Sequence, residues 1–407
     1  MQPIRIIVLG ALAAIACATV DTGPPKLAIR YERIPLPAAR PEDGALQRVW
    51  LFGADRSTCV LVYERALVFP NGQRIRLGKI DDSVRRAQRF DRGVVTLTQH
   101  WEGGVANGSF QYVDLEGRPG AQGGAGTGSY VTEGGVLVWS DQWEGYGEEF
   151  GLILPDGRRL PPTRPYRRGF SGIYADGSGG RLVVFVQPSE PEDGDGRLYL
   201  YDPSGKALLE REVAYETPTR PTSTDLLGVS ERHILLLHNT NLERRSVFGV
   251  EVLGADGERL HSLEGVSHGV AVHGDALLNR RFHELARVEL TDGKTSWSVP
   301  YEEFYSRPRL EGLPDRPDTP VLHARRHLFG MLRNGEVAAF VIDQYVPGTV
   351  TRRMQYGEDE LLFVAAQTGD VLARFALAPR PKVLEFEAAD DRLYVLRDGE
   401  YGAYVLE

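Results

Sequence analysis

Two stretches carry the residue types that could do chemistry: WSDQWEGYGEEFG at 139–151, with a shorter echo TQHWEGG at 98–104, and the acidic run EPEDGDG at 190–196. Clustered carboxylates such as Glu190, Glu192, Asp193 and Asp195 offer the oxygen ligands that a hard cation like calcium takes. They lack the spacing of an EF-hand loop, so a solvated acidic loop is the simpler expectation. Glu148 and Glu149 could serve as paired acid and base, but adjacent residues on a strand point to opposite faces. His261, His268, His273 and His283 fall within about one repeat of each other, at a spacing that matches no zinc motif. GFSGI at 169–173 stops short of a nucleophile elbow, and neither a His-Glu-x-x-His helix nor a phosphate-cradling glycine loop occurs. No catalytic residue and no cofactor is therefore assigned, and the chain is expected not to be an enzyme.

The Trp-Glu-Gly steps become informative once aligned. GVVTLTQHWEG (93–103) and GVLVWSDQWEG (135–145) superpose with an offset of 42, which makes Trp101 and Trp143 equivalent positions in successive repeats. Turn dipeptides recur along the chain between short β-branched and aromatic runs: Asn71-Gly72, Glu116-Gly117, Asp156-Gly157, Ser204-Gly205, Asp256-Gly257, Asp292-Gly293, Asn334-Gly335, Thr368-Gly369 and Asp398-Gly399. Such steps supply the positive φ that tight hairpins need, so each predicts a pair of antiparallel strands. Runs such as RLVVFVQ (181–187) and HILLLHN (233–239) read as the strands themselves. About 40 residues per unit with four short strands each is the pattern of an all-β propeller.

Repeats are expected at 46–78, 87–120, 129–162, 171–215, 224–264, 268–299 and 322–377, with a last unit at 383–407 that holds only three strands. KLAIRYERIPLP (26–37) is expected to supply the missing fourth, closing an eight-bladed ring. The long unit at 322–377 and the linker at 300–321 leave seven blades as the alternative.

Three hairpins, YDPSGKALL (201–209), TDGKTSW (291–297) and QTGDVLARF (367–375), resemble the blade-closing turn of quinoprotein-like propellers. The layout is also similar to that of the eight-bladed outer-membrane barrel-assembly lipoproteins. That family carries a regular tryptophan in every blade, whereas Trp stands here only at 50, 101, 139, 143 and 297. The resemblance thus implies the fold and assigns no role to particular residues.

In such a ring the B–C and D–A connections share one rim, called upper here, and the A–B and C–D turns share the other. The upper loops are then expected to gather Trp101, Trp143, Tyr146, Glu148 and the 190–196 acids on one side, and Arg244, Arg245, Arg280, Arg281, Arg352 and Arg353 on the other. Aromatics and arginines are the anchors that interfaces favour. A partner protein of the envelope or a glycan is the expected ligand, although inter-blade packing of the tryptophans and solvation of the arginines are the plainer alternatives.

Whole-chain properties bound the remainder. The formal charge of −9 argues against nucleic acid, whose phosphates call for a basic surface. Only five of the 47 basic residues are lysine. Residues 1–16 have a short positive start and the apolar run IIVLGALAAIA, too short to span a bilayer, which is a secretory signal pattern. Ala14-Ile15-Ala16-Cys17 resembles a lipobox, so Cys17 is expected to be lipidated, with 17–25 as a tether and 26–407 as one propeller domain. Membrane contact would then run only through that anchor, at the outer membrane, with soluble secretion as the alternative. Cys59 is left as the sole thiol of the mature chain, without a disulfide partner, and a monomer is expected.

Overall fold

The computed structural model describes residues 28–407 apart from 38, 54–57, 81–82, 103–104, 127, 133, 142–145, 179–180, 214–222, 243–244, 265–269, 281–283, 301–320, 347–353, 378–383 and 398. The signal run, Cys17 and the tether therefore lie outside the described residues. Strand follows strand along the whole described chain, interrupted only by the 3-10 turns Pro41–Asp43 and Pro191–Asp193.

The strands form eight antiparallel sheets in chain order, spanning 46–76, 83–125, 128–153, 170–213, 223–264, 270–300, 321–377 and 384–406. This is an eight-bladed β-propeller, and the seven-bladed alternative falls away because 321–377 makes one complete four-stranded blade. Six sheets have four strands. Blade 2 gains a short inner strand, Gly78–Ile80. Blade 3 has three regular strands, and its fourth position is held by the isolated bridges Phe150↔Thr163 and Ile153↔Arg159. Pro161 and Pro162 sit between those bridges, and a prolyl nitrogen has no hydrogen to donate to a ladder.

The turn chemistry explains the regularity. All nine glycines of the predicted turn dipeptides adopt positive φ, between 71° and 85°. Seven of them close the hairpin between the third and fourth strands of a blade; in six an Asp or Asn side chain just before the glycine accepts backbone hydrogens, and before Gly369 Thr368 Oγ1 does so. Asp202 Oδ1, for example, accepts from Ser204 N at 2.8 Å and Lys206 N at 3.0 Å. Six of these seven turns, all but that at Gly72, lie against the blade before them. A Cβ on Gly205 would strike Leu160, and one on Gly369 would stand 3.0 Å from the Trp297 ring. Trp297 itself donates from Nε1 to Ala366 O at 3.0 Å, tying blade 6 to blade 7.

Packing closes the ring. One buried apolar cluster joins blades 1 and 2 through Trp50, Val60, Val94 and Val113, and another joins blades 3 and 4 through Val138, Phe150, Val184 and Tyr199. Equivalent clusters join every other neighbouring pair, including blade 8 to blade 1 through Tyr394, Leu396, Val49 and Leu61. The first strands of neighbouring blades approach each other and mark the central axis. The expected N-terminal strand is present: Ile29–Arg33 pairs with Glu400–Leu406 from Ile29↔Leu406 to Arg33↔Gly402, as the outer edge of blade 8. The first and last strands of the described chain thus lie in one sheet.

Candidate binding site on the upper rim

The described part of the upper rim is fullest where blade 3 hands over to blade 4. The connection Arg164–Gly169 runs between them, beside the blade 3 loop at 146–149 and the blade 4 turn at 189–195. Short backbone bonds hold the three together. Gly147 N donates to Phe170 O at 2.9 Å, Phe170 N returns one to Gly147 O at 2.7 Å, and Ser189 N donates to Gly169 O at 3.3 Å. Gly169 has φ +85°, and a Cβ there would come within 2.7 Å of the Tyr146 ring. A side chain at 169 is excluded twice, by conformation and by space.

An open depression of about 680 Å³ lies on this sector, lined by Arg164, Pro165, Tyr166, Arg167, Asp193 and Arg197. Tyr166 is buried, and its hydroxyl donates to Val186 O at 3.1 Å. That burial pushes the phenol well above its usual range. The Arg197 guanidinium covers the Tyr166 ring at 5.0 Å, a cation–π contact, and also reaches Glu210 and Glu212 at 3.3 Å each. Arg164 pairs with Glu148 at 2.8 Å, and Arg168 pairs with Glu192. The bond to Glu192 raises the Arg168 pKa further. Two polar atoms of the lining are buried without a partner among the described residues: Arg197 Nε and Asp193 Oδ2.

The residues singled out from sequence fare unevenly. Tyr146, 45% exposed, and Glu148 do stand on this rim. Trp101 lies within strand Gly93–Glu102, opposite Ala106, and so belongs to the hairpin ladder rather than to a loop. Trp143, Arg244, Arg281, Arg352 and Arg353 lie outside the described residues. Arg245 and Arg280 are terminal residues of strands Arg245–Gly254 and Ala276–Arg280, next to the B–C turns as expected. The proposed division of the rim by sign does not describe the blade 3–4 sector. Its acids are interleaved with Arg164, Arg167, Arg168 and Arg197, three of them from the D–A connection TRPYRRG (163–169), which the loop comparison did not consider. The signal was available there: three arginines and a tyrosine in a run without strand alternation.

The other candidate chemistry resolves into structure. Glu148 N and Glu149 N both donate to Asp141 Oδ1 at 2.9 Å, which shapes a loop, and Glu148 is engaged by Arg164. Glu192 is taken up by Arg168; Glu192 and Asp193 lie in a 3-10 turn, with Glu190 before it and Asp195 after it. Among the described residues no three His, Cys, Asp or Glu side chains converge as metal ligands. His268 and His283 lie outside the described residues. The buried imidazoles are instead His233 and His238, in strand His233–Leu242 of blade 5, with His261 on the fourth strand of that blade.

The molecule is an eight-bladed β-propeller with an arginine-rich depression on its upper rim. No family model matches the chain, and neither does any curated protein. Solved structures similar to it include BamB from Moraxella catarrhalis, at 12% identity over 80% of this chain and 98% of that one, with a TM-score of 0.36. The β-propeller domain of the Trilobed protease from Pyrococcus furiosus, described as having an open velcro topology, is similar at 9% identity over 80% and 96%, with a TM-score of 0.40. An inactive virginiamycin B lyase from Staphylococcus aureus with quinupristin is similar at 10% identity over 94% and 100%, with a TM-score of 0.39. Likenesses this distant bear on the fold alone.

Proposed function

We propose that the chain is a non-enzymatic lipoprotein propeller that acts as a protein-binding platform in the bacterial envelope. The observation that carries the reading is the upper-rim depression, where Arg164, Arg167 and Arg197 surround Tyr166 and the exposed Tyr146 stands on the adjoining loop. Loops held on a rigid scaffold are where binding residues collect, and arginine and tyrosine are enriched among interface anchors. The N-terminal pattern supports the location: a signal run, Cys17 in a lipobox-like setting, and a short tether that leads into strand Ile29–Arg33. A lipid at Cys17 would suspend the ring by its own closing strand.

The test has two arms. Palmitate labelling of cells expressing the chain is expected to mark it and to fail for Cys17→Ser; equal labelling removes the anchor. Co-purification from gently solubilised membranes is expected to yield a partner that is lost with Tyr146→Ala and with the paired change Trp101→Ala and Trp143→Ala. Unchanged recovery from all variants removes the rim as the binding surface. A secreted carbohydrate-binding or carbohydrate-active propeller is the second reading, favoured by the exposed Tyr146 ring, a surface on which sugar faces stack. Release of reducing ends from polysaccharides by the purified protein would establish that reading and displace the first.

A further inference from the structure

The depression between blades 3 and 4 has an unfinished hydrogen-bond account. Arg197 Nε carries a buried N–H with no acceptor among the described residues, and Asp193 Oδ2 is a buried acceptor with no donor there. Both residues line the same depression. Leaving a donor and an acceptor buried and unmet is unfavourable, and such groups call for a partner that none of the described residues supplies. A donor and an acceptor on the wall of one depression are groups that an amide can satisfy, since it offers C=O to a donor and N–H to an acceptor.

The charge of the lining adds a second requirement. Three guanidinium groups face one carboxylate. Arg167 is exposed and has no ion-pair partner among the described residues. The ion pairs of Arg164 and Arg197 are with the solvated carboxylates of Glu148, Glu210 and Glu212, and the exposed pair of Arg164 with Glu148 exchanges readily. A carboxylate brought by a ligand can therefore displace Glu148, and arginine holds carboxylates through two parallel bonds. We infer that the depression binds an extended acidic peptide, with an Asp or Glu side chain on Arg164 and Arg167 and the adjoining backbone amide beside Arg197 and Asp193. A sugar is the less suited occupant, because the Tyr166 face that could stack on a pyranose is already covered by Arg197. This rests on the reading of the rim as a protein-binding surface and names what it recognises.

The probe is a phage-displayed library of random linear peptides, selected on the immobilised propeller and then resynthesised in soluble form for binding measurements. The expected result is an enriched family rich in Asp and Glu whose binding weakens at least about tenfold with Arg167→Glu and with Asp193→Ala. Arg167 is exposed, so its reversal leaves the fold intact, and an unchanged thermal midpoint checks this. Replacing the peptide's acidic residues by their amides is expected to abolish binding to the parent protein. Selection of no acidic family, or equal binding by the parent and both variants, overturns the inference. Binding of oligosaccharides on a glycan array that disappears with Arg167→Glu overturns it in favour of a sugar. If membrane co-purification still depends on Tyr146 while the selected peptides ignore Arg167 and Asp193, the peptide assignment fails and the rim reading stands.

Discussion

Single positions on the rim are set by space as much as by chemistry. Gly169 combines φ +85° with a would-be Cβ 2.6 Å from Gly147 O, so Gly169→Ala is expected to destabilise the protein by about 1–3 kcal/mol in urea unfolding, through strain at a left-handed position. The histidines of blade 5 make a separate point. Burial holds His233, His238 and His261 below their usual range. Asp275 faces His233, with Arg232 and His261 nearby, while Glu251 and Arg259 face His238 and, joined by Asp292, His261. Because the folded state disfavours the imidazolium, the unfolded chain binds more protons as the pH falls. Stability is therefore complete above the unfolded value of 6.5 and declines below it towards the folded values. The thermal midpoint is expected to drop between about pH 7 and pH 5. His233→Gln, which removes one of the three titrations, should lessen the drop; an identical profile for the variant would assign the decline elsewhere.

Among elements, the closing strand Ile29–Arg33 has the largest consequence. It pairs along its whole length with Glu400–Leu406, and the ladder is extended by Glu407 N to Ala28 O at 2.8 Å and Ile34 N to Tyr401 O at 2.9 Å. The Tyr31 ring lies 5.0 Å from that of Tyr404, and Arg30 reaches Glu407 at 2.7 Å. Removing residues up to Arg33 would uncover the edge of Glu400–Leu406, and an uncovered edge is a template for pairing between chains. The truncated protein is expected to melt earlier and to run as higher oligomers in size-exclusion chromatography. A monomer with the parent's midpoint would show the strand to be dispensable. Blade 3 is the counter-example: its outer position tolerates Pro161 and Pro162 because the neighbouring bridges at Arg159 and Thr163 keep the edge short.

At the scale of the whole molecule, stability is shared around the ring. Phe363 is fully buried where blade 7 meets blade 8, with ring centroids 5.8 Å from both Phe375 and Tyr404. Phe363→Ala should lower the unfolding free energy by about 3–5 kcal/mol. Since each blade is gripped by both neighbours, tryptophan fluorescence, which reports on blades as distant as those of Trp50 and Trp297, and far-UV circular dichroism are expected to shift together. Separate transitions would mean that blades open singly.

The fold was largely legible before any coordinates. Asn-Gly and Asp-Gly steps, β-branched runs and a repeat near 40 residues are local signals, and a hairpin is a local object, so eight blades and even the N-terminal closing strand could be read along the chain. The binding site was legible only in fragments. Tyr146 and Glu148 were found on a repeat-equivalent loop, but Arg164 and Arg167 come from a D–A connection, and Asp193 and Arg197 meet them from a turn and the strand start after it in blade 4. Sequence alone determined the strands and their turns, because backbone conformation answers to neighbours a few residues away. Which side chains converge across a blade boundary, and which polar atoms are left there without a partner, was decided only by the tertiary structure, because that depends on the inter-blade packing that brings separate connections together.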